Sequence, residues 1–354
     1  MARDGKRITR KMPEADLSIP TRNDAVRRAA RLSVAPMMDW TDRYCRGFHR
    51  VLSRRALLYT EMVTAPAIIH GPRDRLLRKD AAEAPVALQI GGSDPAELAR
   101  ATALAAPFGY GEINLNVGCP SDRVQSGCFG AVLMKTPALV ADCVRAMIAE
   151  SPVEVTVKCR IGVDDQDPAT VLPDFLSRMR DAGVSRITIH ARMAWLDGLS
   201  PKDNREIPPL DYPLVHRMKA QFPDLHLSIN GGLQPGMAAG QLVQMDGVMF
   251  GRAAYHQPWD VLGAADRLWG ETPPCATPID AASATRPLIA RWLDEGARIH
   301  QITRHMLGLF HGRPGARLWR RTLSEGAHKA HSPAEGLALY DAALDQVRDA
   351  MESA

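Results

Sequence analysis

Cys119 lies in the string Asn116-Val-Gly-Cys-Pro120, where Gly118 permits a tight turn and Pro120 stiffens the exit and removes a backbone donor. A free thiol has a pKa of about 8.5 and is mostly protonated at neutral pH, so a cysteine held on such a turn can donate a proton. The other common use of cysteine is as a small buried hydrophobe. That use suits Cys143 and Cys159, whereas Cys45 and Cys128 fit either. Lys158, in Glu154-Val-Thr-Val-Lys-Cys159, offers a cation, Gln89 an amide and His190, close to Arg192, an imidazole. Asn230-Gly-Gly232 and Gly251-Arg252 bring glycines that let backbone N–H groups approach an anion. The six cysteines form no Cys-x-x-Cys pair and no Cys/His zinc spacing, so neither a metal centre nor a disulfide framework is expected.

These residues share a position: each falls at the end of a short apolar run. The runs are 32–37, 57–62, 85–90, 112–117, 154–159, 186–190, 226–230 and 247–250, rich in Val, Ile, Leu or Thr and closed by Gly, Pro or a polar residue. Helix-like segments lie between most of them, among them 94–106, 137–149, 168–182 and 235–244. Eight such alternations from residue 32 to about 270 predict an α/β fold, a (β/α)8 TIM barrel. An open doubly wound sheet is the structural alternative, and no Gly-x-Gly-x-x-Gly follows the first strand to support it. Function in such barrels sits at the C-terminal strand ends. Here those ends carry Pro36-Met37-Met38, Glu61, Gln89, Asn116 with Cys119, Lys158 with Arg160, His190 with Arg192, Asn230-Gly231-Gly232 and Gly251-Arg252.

The loops after strands seven and eight are the recurrent phosphate site of these barrels, and both carry glycine here. A phosphate handle implies a phosphorylated cofactor, with FMN foremost. A cation near flavin N1 and the C2 carbonyl stabilises the anionic reduced ring, and Lys158 has the right type. Gln89 can hydrogen-bond the ring's amide edge, and His190 can contact either the ring or the ribityl phosphate.

The chain has 354 residues, 45% hydrophobic and 24% charged, which excludes a disordered or collagen-like protein. The net charge of +4 conceals an uneven distribution. Residues 1–31 hold 9 basic against 4 acidic side chains, residues 286–329 hold 9 against 3, and residues 330–354 hold 1 against 5. A polyanionic partner would meet the two basic segments. Residues 1–31 are read as a mobile basic extension, 32–270 as a catalytic barrel, 271–285 (rich in Pro, Ala and Thr) as a linker, and 286–354 as an all-α helical bundle. In the last region Leu288, Ile289, Trp292, Ile299, Ile302, Met306 and Leu309 recur at helical spacing. Ser332-Pro-Ala-Glu335 reads as a capping box that opens a further helix. No apolar run approaches the ~20 residues of a membrane span, and no secretory h-region is present. A cytoplasmic monomer with no membrane and no stable protein partner is expected.

Together these strings resemble the tRNA-dihydrouridine synthase family. The resemblance rests on Ala35-Pro-Met-Met38, Tyr59-Thr-Glu-Met62, Gln89-Ile-Gly-Gly92, Asn114-Leu-Asn-Val-Gly-Cys-Pro-Ser121, Thr156-Val-Lys-Cys-Arg160, Ile189-His-Ala-Arg192, Ile229-Asn-Gly-Gly232 and Gly251-Arg-Ala-Ala-Tyr255. The insertion 195–210 and the string 305–321 resemble the A-type subfamily. The resemblance implies reduction of uridines 20 and 20a of the tRNA D-loop to 5,6-dihydrouridine, with bound FMN and with NADPH as co-substrate. It places Cys119 as proton donor and Asn116 against the target base. It places Gln89, Lys158, His190, Asn230, Gly231, Gly232, Gly251 and Arg252 on FMN, with backbone contacts from Pro36, Met37 and Met38. In that chemistry hydride passes from flavin N5 to uracil C6, and a proton from Cys119 reaches C5. The base must first be turned out of folded tRNA into the barrel mouth. The basic segment then has a partner in tRNA: Arg317, Arg320 and Arg321 from the helical region, and Lys202, Asn204 and Arg205 from the insertion.

Two other readings fit part of the pattern. Another FMN barrel acting on a small molecule, dihydroorotate dehydrogenase-like or ene-reductase-like, shares the phosphate loops and the lysine but leaves the basic helical region without a task. A non-catalytic RNA-binding protein on a degenerate barrel would bind no flavin.

Overall fold

In Glu112-Ile-Asn-Leu-Asn-Val117 polar and apolar residues alternate, and a strand sends the two sets to opposite faces. The computed structural model, which describes residues 19–121 and 129–354, turns that alternation into a barrel wall. Strands β1 (Leu32–Val34), β2 (Leu57–Thr64), β3 (Val86–Gly91), β4 (Glu112–Val117), β5 (Val155–Arg160), β6 (Arg186–His190), β7 (His226–Asn230) and β8 (Gly247–Phe250) follow one another around the barrel. All pairs are parallel, and β8 closes onto β1. The outward residues Ile113, Leu115, Val117, Val157, Cys159, Ile187 and Ile189 join the main core with Leu98, Val144, Met147 and Leu176 of the surrounding helices. The expected helices appear as Pro95–Ala105, Pro137–Glu150 and Pro168–Asp181, while the 235–244 segment shortens to Ala238–Gln241. Asp94 caps the first of these by accepting from Glu97 N at 2.8 Å.

Inside the barrel the apolar filling is small. Ala35, Leu57, Tyr59, Ala87 and Met249 form a cluster with Val26, Ala29 and Ala30 of the helix Ile19–Ala29. That helix lies across the N-terminal strand ends, where Arg27 donates to Ser185 Oγ at 2.9 Å and Trp269 Nε1 donates to Arg28 O at 2.9 Å. The expectation of a mobile extension to residue 31 is therefore corrected for 19–31: buried Val26, Ala29 and Ala30 anchor that part. Residues 1–18 lie outside the described residues. The remaining interior, on β4 to β6, is polar: Glu112, Asn114, Asn116, Thr156, Arg160, Arg186, Thr188 and His190 are all buried.

The 271–285 linker is corrected as well. Thr277 and Asp280 form a capping box and Pro278 takes the first turn, so a helix runs Pro278–Asp294 with Ala281, Ala282 and Thr285 buried. The segment rich in Pro, Ala and Thr is thus largely a capped, packed helix. The helical region continues with Ile299–Thr303, Ala316–Gly326 and Pro333–Glu352, the last opened by the expected Ser332/Glu335 box. Phe310, Trp319 and Tyr340 form its centre, edge to face at 5.0 and 5.4 Å. Among the described residues no helix is long and apolar enough to cross a membrane.

The helical region seats on the helix Arg43–Leu52 of the barrel. Trp292 meets Tyr44 at 5.2 Å and covers Gly47, where a Cβ would come within 2.6 Å of the indole. Arg43 and Glu295 pair across the same junction at 2.8 Å. Since Trp292 is itself buried, Gly47→Ala should cost about 1–3 kcal/mol through overpacking. Thermal unfolding of the variant measures this, and an unchanged midpoint would show that the indole yields freely.

Candidate active site

At the C-terminal strand ends the inward side chains and loops enclose a cavity of about 510 Å³. Asn116, the last inward residue of β4, bends the chain there. Its Oδ1 accepts from Gly118 N at 2.9 Å and Cys119 N at 3.0 Å, an Asx turn that brings Cys119 to the cavity wall. Its Nδ2 donates to Gln89 Oε1 at 3.1 Å and to Met62 Sδ at 3.0 Å. All polar atoms of Asn116 are thus engaged within the protein, and a base contact would have to displace one of these bonds.

Arg160 ends β5, and its guanidinium is buried without a carboxylate partner among the described residues. It donates to three carbonyls on two loops: Gly118 O at 3.0 Å after β4, and Met193 O at 2.8 Å and Asn204 O at 2.8 Å after β6. Burial, together with the Arg205 and Arg192 charges, pushes it down to about 10. It holds the Cys119 turn and the insertion after β6 in one arrangement, and Ala131 N, donating to Cys119 O at 2.9 Å, fixes the turn from the far side.

Lys158 lines the same cavity and has no hydrogen-bond acceptor among the described residues. Burial, with Arg160 beside it, pushes its amine down to about 8. His190 is buried with Nδ1 unpartnered among the described residues, and desolvation plus the Arg160, Lys158, Arg192 and Arg205 charges hold it well below the usual histidine range, hence neutral at pH 7. Gly231 (φ 106°) and Gly232 (φ 65°) adopt left-handed conformations after β7 that other residues rarely take. A Cβ at Gly251 would meet nothing closer than 3.8 Å, so the wall is open there, and the helix Arg252–His256 begins at that point. Pro36, Met37 and Met38 complete the rim after β1. Glu61 supports that rim by accepting from the N–H of Asp39, which has φ 63°.

Every residue expected to contact the cofactor therefore lines one cavity, though two side chains are occupied elsewhere. Asn230 Nδ2 donates to Met249 O at 2.7 Å, and Arg252 pairs with Glu206. Among the described residues no carboxylate lines it, while Lys158, Arg160, Arg205 and Arg252 do. An unpaired lysine, an orphaned imidazole nitrogen, an open glycine wall and this excess of cations fit a phosphorylated flavin.

Of the residues expected on RNA, Asn204 is corrected. It is fully buried, donating to Trp195 O at 2.7 Å and accepting from Trp195 N at 2.8 Å, so it staples the insertion. Arg205 stands at the cavity, and Lys202 is exposed on the insertion. Arg317, Arg320 and Arg321 are exposed on the helix Ala316–Gly326, away from the cavity lining. Cys143 and Cys159 are buried, as is Cys45, whose thiol lies 3.7 Å from His49 Nε2; Cys128 lies outside the described residues. Trp40, Met62 and His256 also line the cavity and were not singled out by sequence. Trp40 stacks on Tyr255 at 4.3 Å, a pairing between loops that no spacing along the chain reveals.

The dihydrouridine synthase (Dus) family model matches residues 33–348 of the chain, helical region included. A protein of Xanthomonas campestris pv. campestris named tRNA-dihydrouridine(20/20a) synthase is 53% identical over 320 residues, which cover 90% of this chain and 94% of that protein. The protein of that name in Escherichia coli (strain K12) is 56% identical over 316 residues, with 88% and 91% covered. The one in Salmonella typhimurium is 56% identical over 324 residues, with 91% and 96% covered.

Lys158 should carry its charge below about pH 8 and lose it above, well short of the 10.5 of a free lysine. After reductive ¹³C-methylation, an NMR titration should show a methylamine resonance with a midpoint near 8 that is missing in Lys158→Met. A bound anion should move that midpoint upward, since it favours the charged amine. A midpoint near 10.5 in the free protein would contradict the burial argument.

Proposed function

The chain belongs to the dihydrouridine synthase family, and from that premise we propose that it reduces uridines 20 and 20a of tRNA to 5,6-dihydrouridine, with FMN as its flavin and NADPH as the reductant. It is a flavin-dependent oxidoreductase acting on tRNA uridine. The finer reading is carried by one observation: Cys119, Lys158, His190 and the open wall at Gly251 meet in a single cavity that no carboxylate lines among the described residues.

The residues divide the work. The backbone at Gly231, Gly232, Gly251 and Arg252 would hold the phosphate, Pro36 to Met38 and Gln89 the ring, and neutral His190 either of them. Bound FMN, once reduced by NADPH, would supply the hydride for C6 of the uracil. Lys158 is the cation available to the cofactor's anionic form, and its depressed pKa marks how little compensating charge it has without one. Cys119 gives its proton to C5, completing addition across the double bond; Asn116 and Arg160 hold the turn from which it does so. Met37, Met38, Met62 and Leu233 make part of the lining apolar, which limits water around the reacting base.

Outside the barrel, residues 317, 320 and 321 follow the spacing of one helix face, opposite the buried Trp319 and Leu323. The three arginines pair with no carboxylate among the described residues, which favours a polyanion over a small molecule as the partner. Lys202 adds a cation on the insertion. The helical region thus meets tRNA in the cytoplasm while the barrel handles one base.

Incubation of the protein with FMN, NADPH and an unmodified tRNA transcript, followed by nucleoside mass spectrometry and position mapping, should show dihydrouridine at 20 and 20a; none formed would refute the reading. Cys119→Ala should lower product by about 100-fold or more yet leave NADPH oxidation without tRNA intact, and undiminished product would remove Cys119 from the proton step. Replacing Arg317, Arg320 and Arg321 by Gln should reduce the salt slope of tRNA binding by about 2, and an unchanged slope would place the interface elsewhere.

A further inference from the structure

Gln89 sits within an unbroken series of hydrogen bonds that runs along the barrel interior. At the N-terminal end Arg186 pairs with Glu112 Oε2 at 2.6 Å and with Glu154 Oε2 at 3.1 Å. Glu112 Oε1 accepts from Tyr59 OH at 2.7 Å and from the hydroxyl of Thr156. With its proton directed to Glu112, Thr156 Oγ1 is left to accept, and it does so from Asn114 Nδ2 at 2.8 Å. Asn114 Oδ1 accepts from Gln89 Nε2 at 2.9 Å, and Gln89 Oε1 from Asn116 Nδ2 at 3.1 Å. Asn116 Oδ1 then takes the backbone N–H groups of Gly118 and Cys119.

The direction of this series is dictated from both ends. A carboxylate paired with arginine can only accept, and a backbone N–H can only donate. Three amides lie between them, and flipping one would set a buried donor against a donor. Gln89 lines the cavity with its orientation so fixed, and one Nε2 hydrogen is left over after the bond to Asn114.

We propose that Thr156 and Asn114, which are buried and line no part of the cavity, are positioning residues for the reaction. They orient Gln89 as a donor toward a carbonyl oxygen of the flavin's dione edge, and through Asn116 they preset the turn that carries Cys119. The first part rests on the flavin reading above; the second stands without it.

Thr156→Val keeps the shape and removes the hydroxyl, Thr156→Ser restores it, and Asn114→Leu breaks the series one step further along. Three measurements are compared on the full chain: FMN affinity of the apoprotein from fluorescence quenching, the iodoacetamide alkylation rate of Cys119 in the absence of FMN by peptide mass spectrometry, and the thermal midpoint. Thr156→Val and Asn114→Leu should weaken FMN binding about tenfold and raise the Cys119 alkylation rate about threefold or more. Thr156→Ser should return both to wild-type values. If Thr156→Val lowers only the thermal midpoint, with FMN affinity and alkylation unchanged, the residues are merely structural and the proposal falls. Should Asn114→Leu not fold, the two Thr156 variants decide. A wild-type chain that bound no FMN would overturn the functional reading, and the alkylation comparison would still decide the positioning role.

Discussion

The closed β-ladder shuts the barrel interior off from water, so polar atoms placed inside must find partners in the chain itself. This protein fills the β4 to β6 side of its interior with carboxylate, amide, hydroxyl and guanidinium groups where barrels of this kind more often stack Val, Ile and Leu. The constraint converts a set of side chains into a directed network. Arg186 is held between Glu112 and Glu154, Glu112 directs Thr156, and the three amides above inherit one orientation. A buried ion pair is weak evidence of added stability, because a well-packed apolar replacement is often as stable. What the polar filling adds is direction, and that direction ends at the N–H of Cys119.

The same constraint explains Arg160. Its charge is met by three carbonyl dipoles and, among the described residues, by no carboxylate, which leaves a positive potential beside Lys158 and around neutral His190. Offsetting that charge with an aspartate would stabilise the free protein and weaken the cavity's attraction for an anion. Because one carbonyl belongs to the turn after β4 and two to the insertion after β6, the guanidinium also ties these two loops together. Electrostatics and loop geometry are thereby set by one side chain.

Charge is arranged oppositely in the helical region. Its arginines at 317, 320 and 321 are exposed and solvated, whereas Arg43, Arg291 and Arg304 of the junction are spent on Glu295, Asp80 and Asp42. Composition alone treats all six as one basic segment or as scattered surface charge. Only packing separates those that seat the helical region from those left for a polyanion.

Much of the barrel was legible in the chain because its signals are local. Short runs rich in Val, Ile, Leu or Thr mark the strands, glycines after strands seven and eight mark turns that need left-handed or open backbone, and beyond the barrel Ser332 marks a helix start. The cofactor cavity was legible for a related reason: strand ends in a parallel barrel converge, so residues far apart in sequence can be assigned to one place. What the chain could not reveal were pairings set by the packing of one element on another. Asn204 has the type of an RNA contact but is consumed by Trp195 of its own loop. Residues 19–31 and 278–285 have the composition of an extension and a linker but become packed helix. The orientation of Gln89 depends on a carboxylate at the opposite end of the barrel. Spacing thus determined which residues reach the barrel mouth, since backbone periodicity controls that. The tertiary structure decided which of their atoms remain free there, since hydrogen-bond satisfaction is settled only when all the partners are in place.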